Sequence, residues 1–349
     1  MVEHHSATKR LTSHSSTVRR RWLFWVGIAV SVAFLYLALR NVRLDEVLDL
    51  IRGAQLAWIA LGIAVYFLSV ALRAQRWALL LSSAGHLRVG QLYPIVIIGY
   101  MGNNIYPARI GELLRAYVLR QSYAMPFATS LASILIERVL DSAVLLGFVV
   151  AGLPITQGIG ENLRLGLLAL GAALVVGIAL VMVMSIYARP IAERAEQWVG
   201  HLLPRRLGAT FLDLFQRFLL GTQSLKSPRV FLATLALTLA TWLVETVKYW
   251  CVAHALGISV PFLGLMLVNG LSNLFTVIPG APGGIGTFDS GGVLGMVSLG
   301  VQPSLAFAYV LVLHAALWFP VTTLGFALMI REGLRWSDLS RAETMQVSP

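Results

Sequence analysis

Six long apolar runs govern this chain: residues 22–39, 56–81, 127–153, 163–187, 230–256 and 303–330. Crossing roughly 30 Å of hydrocarbon takes about 20 apolar residues in a helix, and each run is close to that length. Within a bilayer the backbone must satisfy its own hydrogen bonds, which restricts spanning structure to helices and closed barrels. Uninterrupted runs of this length select helices. Composition agrees: 57% of the residues are hydrophobic and 12% charged, against about 45–50% and about 25% in soluble domains. Such a chain has too little polar surface to cover a water-soluble globule. A soluble enzyme, a disordered chain and a secreted disulfide scaffold are thereby excluded. A single cysteine, Cys251, permits neither an internal disulfide nor a thiolate metal cluster. No metal or cofactor is expected.

The formal net charge is +11. In a soluble protein that would point to nucleic acid. Here it is read as basic loops retained on the cytoplasmic side, with no nucleic acid as partner. Residues 1–21 form a basic tail ending in Arg19-Arg20-Arg21, followed by a signal anchor rather than a cleaved signal peptide. Residues 22–335 form one transmembrane domain, and 336–349 a second tail. Residues 42–52 are short and amphipathic, as in an interfacial helix. Residues 188–229 are a basic, amphipathic connection. Both tails and this connection are placed in the cytoplasm, with the protein in the plasma membrane.

Two stretches, 89–120 and 262–300, are apolar but broken by Asn, Pro and Gly. Such backbone is tolerated at membrane depth only where protein or a water-filled cavity satisfies it. With both tails and the 188–229 connection inside, six full spans connect consistently only if each broken stretch enters and leaves on one side. The expected fold is therefore an all-α polytopic bundle with two re-entrant helical hairpins of opposite orientation, the pattern of an inverted repeat. Pro107-x-x-Ile110-Gly111 and Pro282-x-x-Ile285-Gly286 share P-x-x-I-G half a chain length apart. Interrupted segments at matching places in two halves mark a transporter's binding site.

Several charges lie where apolar sequence did not require them. Arg73 and Arg76 fall in the second run, Glu137, Arg138 and Asp141 in the third, Glu245 and Lys248 in the fifth. A mid-bilayer charge costs roughly 2.5–3.5 kcal/mol on insertion scales. Glu137 and Asp141, four apart, share a helix face, which invites a cation, a proton or an arginine from elsewhere. Glu245 and Lys248, three apart, can neutralise each other. Arg76 is expected to snorkel toward the surface, and Arg73 less so. Asn103 and Asn104 can cap a helix start, Pro107 ends a ladder, and Gly111 allows close approach. Arg109 at such a broken helix, with Glu112 and Arg115 following, suits an anionic group such as phosphate. Pro279, Pro282, Gly283, Gly284 and Gly286 read as the tip of the second hairpin, followed by Asp289. The Lys-Ser/Thr of a P-loop is missing there. His254 and His314 are read as interhelical hydrogen-bond partners.

Together these residues resemble the transmembrane domain of lysylphosphatidylglycerol synthases, over about 20–335. The resemblance rests on Arg73-x-x-Arg76-Trp77, on Asn103-Asn104-x-x-Pro107-Ala108-Arg109-x-Gly111-Glu112-x-x-Arg115, on Glu137-Arg138-x-x-Asp141, and on Pro279 through Gly283-Gly284-x-Gly286-x-Phe288-Asp289. It implies a lipid flippase without the soluble synthase domain, so lysyl transfer is not carried over and no enzyme activity is expected. The cargo would be an anionic or aminoacylated phospholipid or a polyprenyl-phosphate-linked lipid. Arg73, Asn103, Asn104, Arg109, Glu112 and Arg138 would meet the head group. Glu137, Asp141, Glu245, Lys248 and Asp289 would compensate charge or couple an ion. Two rivals stand beside this reading: a non-transporting partner of a glycosyltransferase or lipid synthase, and a membrane lipid transferase.

Overall fold

A computed structural model describes residues 25–40, 42–106, 110–157 and 226–333, with isolated positions between 161 and 212. Both tails, Pro107, Arg109, and most of the 163–187 run and the 188–229 connection lie outside the described residues. Every regular element among the described residues is helical. In chain order these are α1 (Trp25–Leu39), α2 (Leu44–Arg52), α3 (Leu56–Leu81), α4 (Val89–Ile105), α5 (Gly111–Tyr123), α6 (Phe127–Gly152), α7 (Pro228–Ala255), α8 (Phe262–Phe275), α9 (Thr287–Ser298) and α10 (Pro303–Arg331). Short 3-10 turns lie at Leu153–Ile155 and Pro282–Gly284.

The ends follow local chemistry. Pro228 and Pro303 open α7 and α10 at positions where a missing N–H costs nothing. Beyond α7, Gly257 takes a φ of 67°, the left-handed conformation glycine adopts without strain. α3, α7 and α10 are long and apolar enough to cross a membrane, and α1 with α2, bent by 84°, would make a fourth such unit. α6 is equally long at 26 residues, about 39 Å at 1.5 Å per residue, but Glu137, Arg138 and Asp141 interrupt its middle.

A long helix, a pair of short ones and another long helix occur twice: α3, α4–α5, α6, then α7, α8–α9, α10. Within each short pair the helices run antiparallel. In the first, Gly102 lies against Gly111 and Leu114, and Gly99 against Arg115. A Cβ on Gly111 would collide with the Gly99 carbonyl. In the second, a Cβ on Gly291 would lie 2.6 Å from the Leu271 carbonyl, and Gly295 meets Val268. Cross-packing links the two sets. α4 runs along α10, where Gly325 meets Met101 and Asn104 donates to Thr322 Oγ1 at 2.9 Å. α8 runs along α6, where Gly270 meets Val149 and Gly152 meets Leu267. α3 and α7 pack antiparallel through Gly62, which faces Cys251 and Lys248, and through the Gln55 N–H bond to the Ala255 carbonyl at 2.9 Å.

Two apolar cores result. One surrounds α8–α9 with the ends of α7 and α10 that face them, including Tyr249, Leu271, Met296 and Leu313. The other surrounds α4–α5 with α3 and the far part of α10, including Trp77, Ile97, Leu114 and Val321. α10 runs through both, and Leu317 borders each. Near that border the two tips meet: Gly283 lies against the Trp318 ring and near the Asn104 carbonyl.

Candidate functional site

Eight of the charged side chains singled out in the sequence converge in one network between α3, α5, α6 and α7, and Arg115 joins them. Arg76 is its centre and is fully buried. Its Nη1 donates to Asp141 Oδ1 at 2.5 Å and to Thr238 Oγ1 at 3.0 Å, and its Nη2 to Glu137 Oε1 at 3.3 Å. The expected snorkelling of Arg76 is overturned. With two carboxylates one helix away, a buried guanidinium gains more than it would by reaching for water. Arg73 is buried too. Its Nη2 donates to Glu245 Oε2 at 2.7 Å, and its guanidinium lies 4.4 Å from the centre of the Trp242 ring. Glu245 also accepts from Lys248 Nζ at 2.8 Å and from Ser69 Oγ at 3.2 Å. The Glu245–Lys248 pair read from the sequence is therefore part of a triad with Arg73.

Glu137 and Asp141 do share a face, and both meet arginines from other helices. Arg115 Nη2 donates to Glu137 Oε2 at 2.9 Å while its guanidinium lies 4.1 Å from the Trp77 ring centre. Trp242 Nε1 donates to Asp141 Oδ1 at 2.8 Å. The network opens at one place. Arg138 Nη2 lies 3.1 Å from Asp141 Oδ2, its Nε lies 3.6 Å from Glu112 Oε1, and these two side chains are 27% and 23% exposed. Every other charged side chain in the network is 6% exposed or less. Counting Arg73, Arg76, Arg115, Arg138 and Lys248 against Glu112, Glu137, Asp141 and Glu245, five cations face four carboxylates. Arg138 Nε and Glu112 Oε1 are buried without a hydrogen-bond partner in their own atoms, at the mouth.

The remaining residues of interest go elsewhere. Asn103, in the last turn of α4, accepts the Gly111 N–H on Oδ1 at 2.9 Å and so satisfies the first amide of α5 from outside it, where the preceding Ile110 offers no side-chain cap. Asn104 ties α4 to α10. At the second tip Gly283, Gly284 and Gly286 have φ of 72°, 76° and 85°, which explains the glycines between Pro282 and α9. Pro279 precedes this turn and Pro282 begins it. Asp289 Oδ2 accepts the Gly286 N–H at 2.8 Å, closing the start of α9. His314 bonds between helices as expected, with Nδ1 2.7 Å from Asp289 Oδ1 and Nε2 3.1 Å from the Gly283 carbonyl. His254 does not: its Nδ1 bonds the Trp250 carbonyl one turn back on α7, at 3.0 Å, and its ring stacks near Trp58. On a helix, an acceptor four residues back is nearer than any neighbouring helix.

The sequence places Arg115 after Arg109 and Glu112 in the anion-suited stretch and Trp77 beside Arg76, but gives neither of them, nor Trp242, a place in the site. Arg115 was visible as a charge one turn beyond Glu112 in an apolar setting. Trp77 was visible only as the end of the Arg73-x-x-Arg76-Trp77 motif and Trp242 not at all, since their N–H and ring partners come from other helices.

These observations define a multi-pass helical membrane protein with a buried ionic network beside a short helical pair. The chain belongs to the family of the lysylphosphatidylglycerol synthase transmembrane region, which it matches over residues 24–325. It is similar to the protein named glycosyltransferase AglD of Haloferax volcanii, at 27% identity over 329 residues. That match covers 85% of this chain and 52% of AglD, so the chain spans about half of that relative. A UPF0104 membrane protein of Methanothermobacter thermautotrophicus is 24% identical over 72% of this chain and 78% of its own length. Another, of Methanocaldococcus jannaschii, is 22% identical over 87% of this chain and 93% of its own.

Proposed function

We propose that this protein moves a lipid with an anionic or aminoacylated head group between membrane leaflets. One observation carries the reading: a buried ionic network holds one cation in excess and opens at the Arg138–Glu112 pair. Taking a charged head group through hydrocarbon is costly, and a polar path lowers that barrier while the acyl chains stay in lipid. In this reading Arg138 meets the phosphate first, Arg73 lies deeper, and Arg109 is a further head-group ligand. Glu112 borders the same path, and Asn103 and Asn104 hold the hairpin that flanks it. Glu137, Asp141, Glu245, Lys248 and Asp289 compensate charge or couple an ion. Translocation, rather than catalysis, is the activity proposed.

The path is read as lying between two re-entrant hairpins, α4–α5 and α8–α9, dipping from opposite faces. Their arms have 17, 13, 14 and 12 residues, about 18–26 Å at 1.5 Å per residue, short of the roughly 30 Å core. The paired succession of elements supports an inverted repeat: α4 packs on α10 as α8 packs on α6, and the corresponding helices α3 and α7 run antiparallel. Counting the apolar runs 22–39 and 163–187 with α3, α6, α7 and α10, the reading has six full spans, with both termini in the cytoplasm of a plasma-membrane protein.

The name of the AglD relative, a glycosyltransferase, favours a second reading, in which the cargo is a polyprenyl-phosphate-linked sugar or the protein serves a separate glycosyltransferase as a non-transporting partner. One assay separates these. Purified protein is reconstituted into vesicles carrying fluorescent phosphatidylglycerol, its lysyl form or a polyprenyl-phosphate analogue, and leaflet exchange is followed by dithionite quenching. Exchange of one lipid, lost in Arg138→Glu and Arg109→Glu, is the expected result. No exchange of any lipid by folded protein overturns the translocase reading in favour of the partner.

A further inference from the structure

The second hairpin carries an ionisable pair that stands apart from the network. His314 presents both ring nitrogens to oxygen acceptors: Nδ1 to Asp289 Oδ1 at 2.7 Å and Nε2 to the Gly283 carbonyl at 3.1 Å. A neutral imidazole has one N–H and one lone pair, and so can donate to only one of them. With an ionised Asp289 and a neutral His314, one nitrogen lone pair would face an oxygen lone pair. The closed arrangement is satisfied only when one further proton is held between Nδ1 and Oδ1, whichever atom carries it, with Nε2–H on Gly283. Asp289 cannot turn aside freely, because its Oδ2 accepts the Gly286 N–H at 2.8 Å.

Among the described residues, the surroundings supply no other charge to this pair. α1, α4 and α8 carry no charged side chain, and neither does the 282–284 turn. α9 carries Asp289 alone, and α10 carries Arg331 besides His314, at its far end. α2 meets α10 near Ser304, ten residues before His314, where the Arg43 N–H bonds Ser304 Oγ. Of the charges of α3 and α7, Arg73, Arg76, Glu245 and Lys248 are engaged with one another and with α6, and Arg229 is exposed at the start of α7, far from His314 along the bundle. The remaining neighbour is the Phe288 ring, 4.9 Å from the imidazole.

His314 also sits on the face of α10 where the two hairpin tips join. His314, Trp318 and Thr322 are successive at i, i+4 and i+8, one stripe of the helix. His314 holds Gly283 and Asp289, the Trp318 ring lies against Gly283, and Thr322 accepts from Asn104 at the first tip. We propose that Asp289 and His314 form a proton-binding site whose occupancy fastens the second hairpin tip to α10, and that proton release frees the tip from its junction with the first. The site stands on this geometry; its consequence, proton-gated lipid passage, rests on the translocase reading.

The test places a cysteine at Ile285, which is 46% exposed at the tip, in a Cys251→Ser background. N-ethylmaleimide labelling of the folded full-length protein is measured at about pH 5 and about pH 8, the window in which imidazoles titrate. Each rate is divided by that of the detergent-unfolded chain at the same pH, which removes the titration of the thiol itself. Labelling is expected to be several-fold faster at the higher pH. Asp289→Asn, whose amide can donate to Nδ1 while its oxygen accepts the Gly286 N–H, mimics the protonated pair and should label slowly at both values; His314→Gln, which has no titratable ring, should label at a rate that does not change between them. If one variant does not fold, the other decides. Equal labelling at the two pH values in the parent, or an undiminished pH response in a folded variant, overturns the proposal. A pH-responsive tip in a protein that moves no lipid would keep the proton site and refute the translocase.

Discussion

The α4–α5 pair closes where Gly111 meets the Gly99 carbonyl, and the α8–α9 pair where Gly291 meets the Leu271 carbonyl. Backbone contact through glycine is common to both. Around the first pair stand four arginines, a lysine and four carboxylates. Around the second stand Asp289 and His314. The second pair shows that a hairpin of this kind can be built with almost no charge. The network beside the first is therefore not a requirement of hairpin closure, and its cost in an apolar setting needs another reason. Polar passage of a head group supplies one.

The comparison is broken most forcefully at Arg76. Replacing it with Met leaves Glu137 and Asp141 buried with fewer cations, a loss of about 3–5 kcal/mol. The expected outcome is loss of folded protein in detergent, seen as aggregation on size exclusion, whereas Asp289→Asn remains monodisperse. Equal tolerance of both changes would show that the first half depends on its charges no more than the second does.

Next in size are the glycines. Gly111→Ala and Gly291→Ala should each lower thermal stability by the equivalent of about 1–3 kcal/mol, because each new Cβ meets backbone rather than a side chain that can move. Similar losses, measured as melting shifts of the purified variants, would confirm that closure is shared. A large loss at Gly111 with none at Gly291 would mean that the second pair relies on its tip, not on its crossing.

The long helices were legible almost to the residue: the apolar run 56–81 is α3, and 127–153 is α6 with its last residue in the following turn. Proline, glycine and polar residues punctuate these runs, and that information is local. The breaks at 106–110 and 276–286 were legible for the same reason. The pairings were not. Arg76 finds Glu137 61 residues away and Arg73 finds Glu245 172 residues away. Position along α3 fixes how deep an arginine lies, but only the neighbouring helix decides whether it reaches for water. For His314 the partners depend on where α10 meets the turn after Pro282, which no spacing within α10 encodes.

A smaller effect tests how the network shares its charges. Glu245 serves two cations, Arg73 and Lys248, whereas Lys248 has Glu245 and the rings of Tyr66 and Tyr249, centred 5.0 and 4.9 Å away. Glu245→Gln should therefore be clearly more destabilising than Lys248→Met, which leaves Glu245 paired with Arg73. The double variant should fall short of the summed losses by about 0.5–3 kcal/mol, as coupled neighbours do. A thermal-denaturation cycle measures this, and strict additivity would refute the triad.

The smallest expected change in stability is at the mouth, and it separates function from folding. Arg138 is 27% exposed and Glu112 23%, so solvent screens their pairing and the pair contributes at most about 1 kcal/mol. Arg138→Gln, whose amide can still donate to the buried Asp141, should lower the melting temperature far less than Arg76→Met does while lipid exchange falls sharply, because the first cation on the proposed path is gone. Glu112→Gln should also fold, and should leave exchange of an anionic lipid intact while weakening that of an aminoacylated one, whose ammonium needs a carboxylate. If Arg138→Gln destabilises the protein as Arg76→Met does, the mouth is part of the structural core, and the excess cation belongs to the packing of the first half. If it leaves both stability and exchange untouched, head groups do not enter beside the first hairpin.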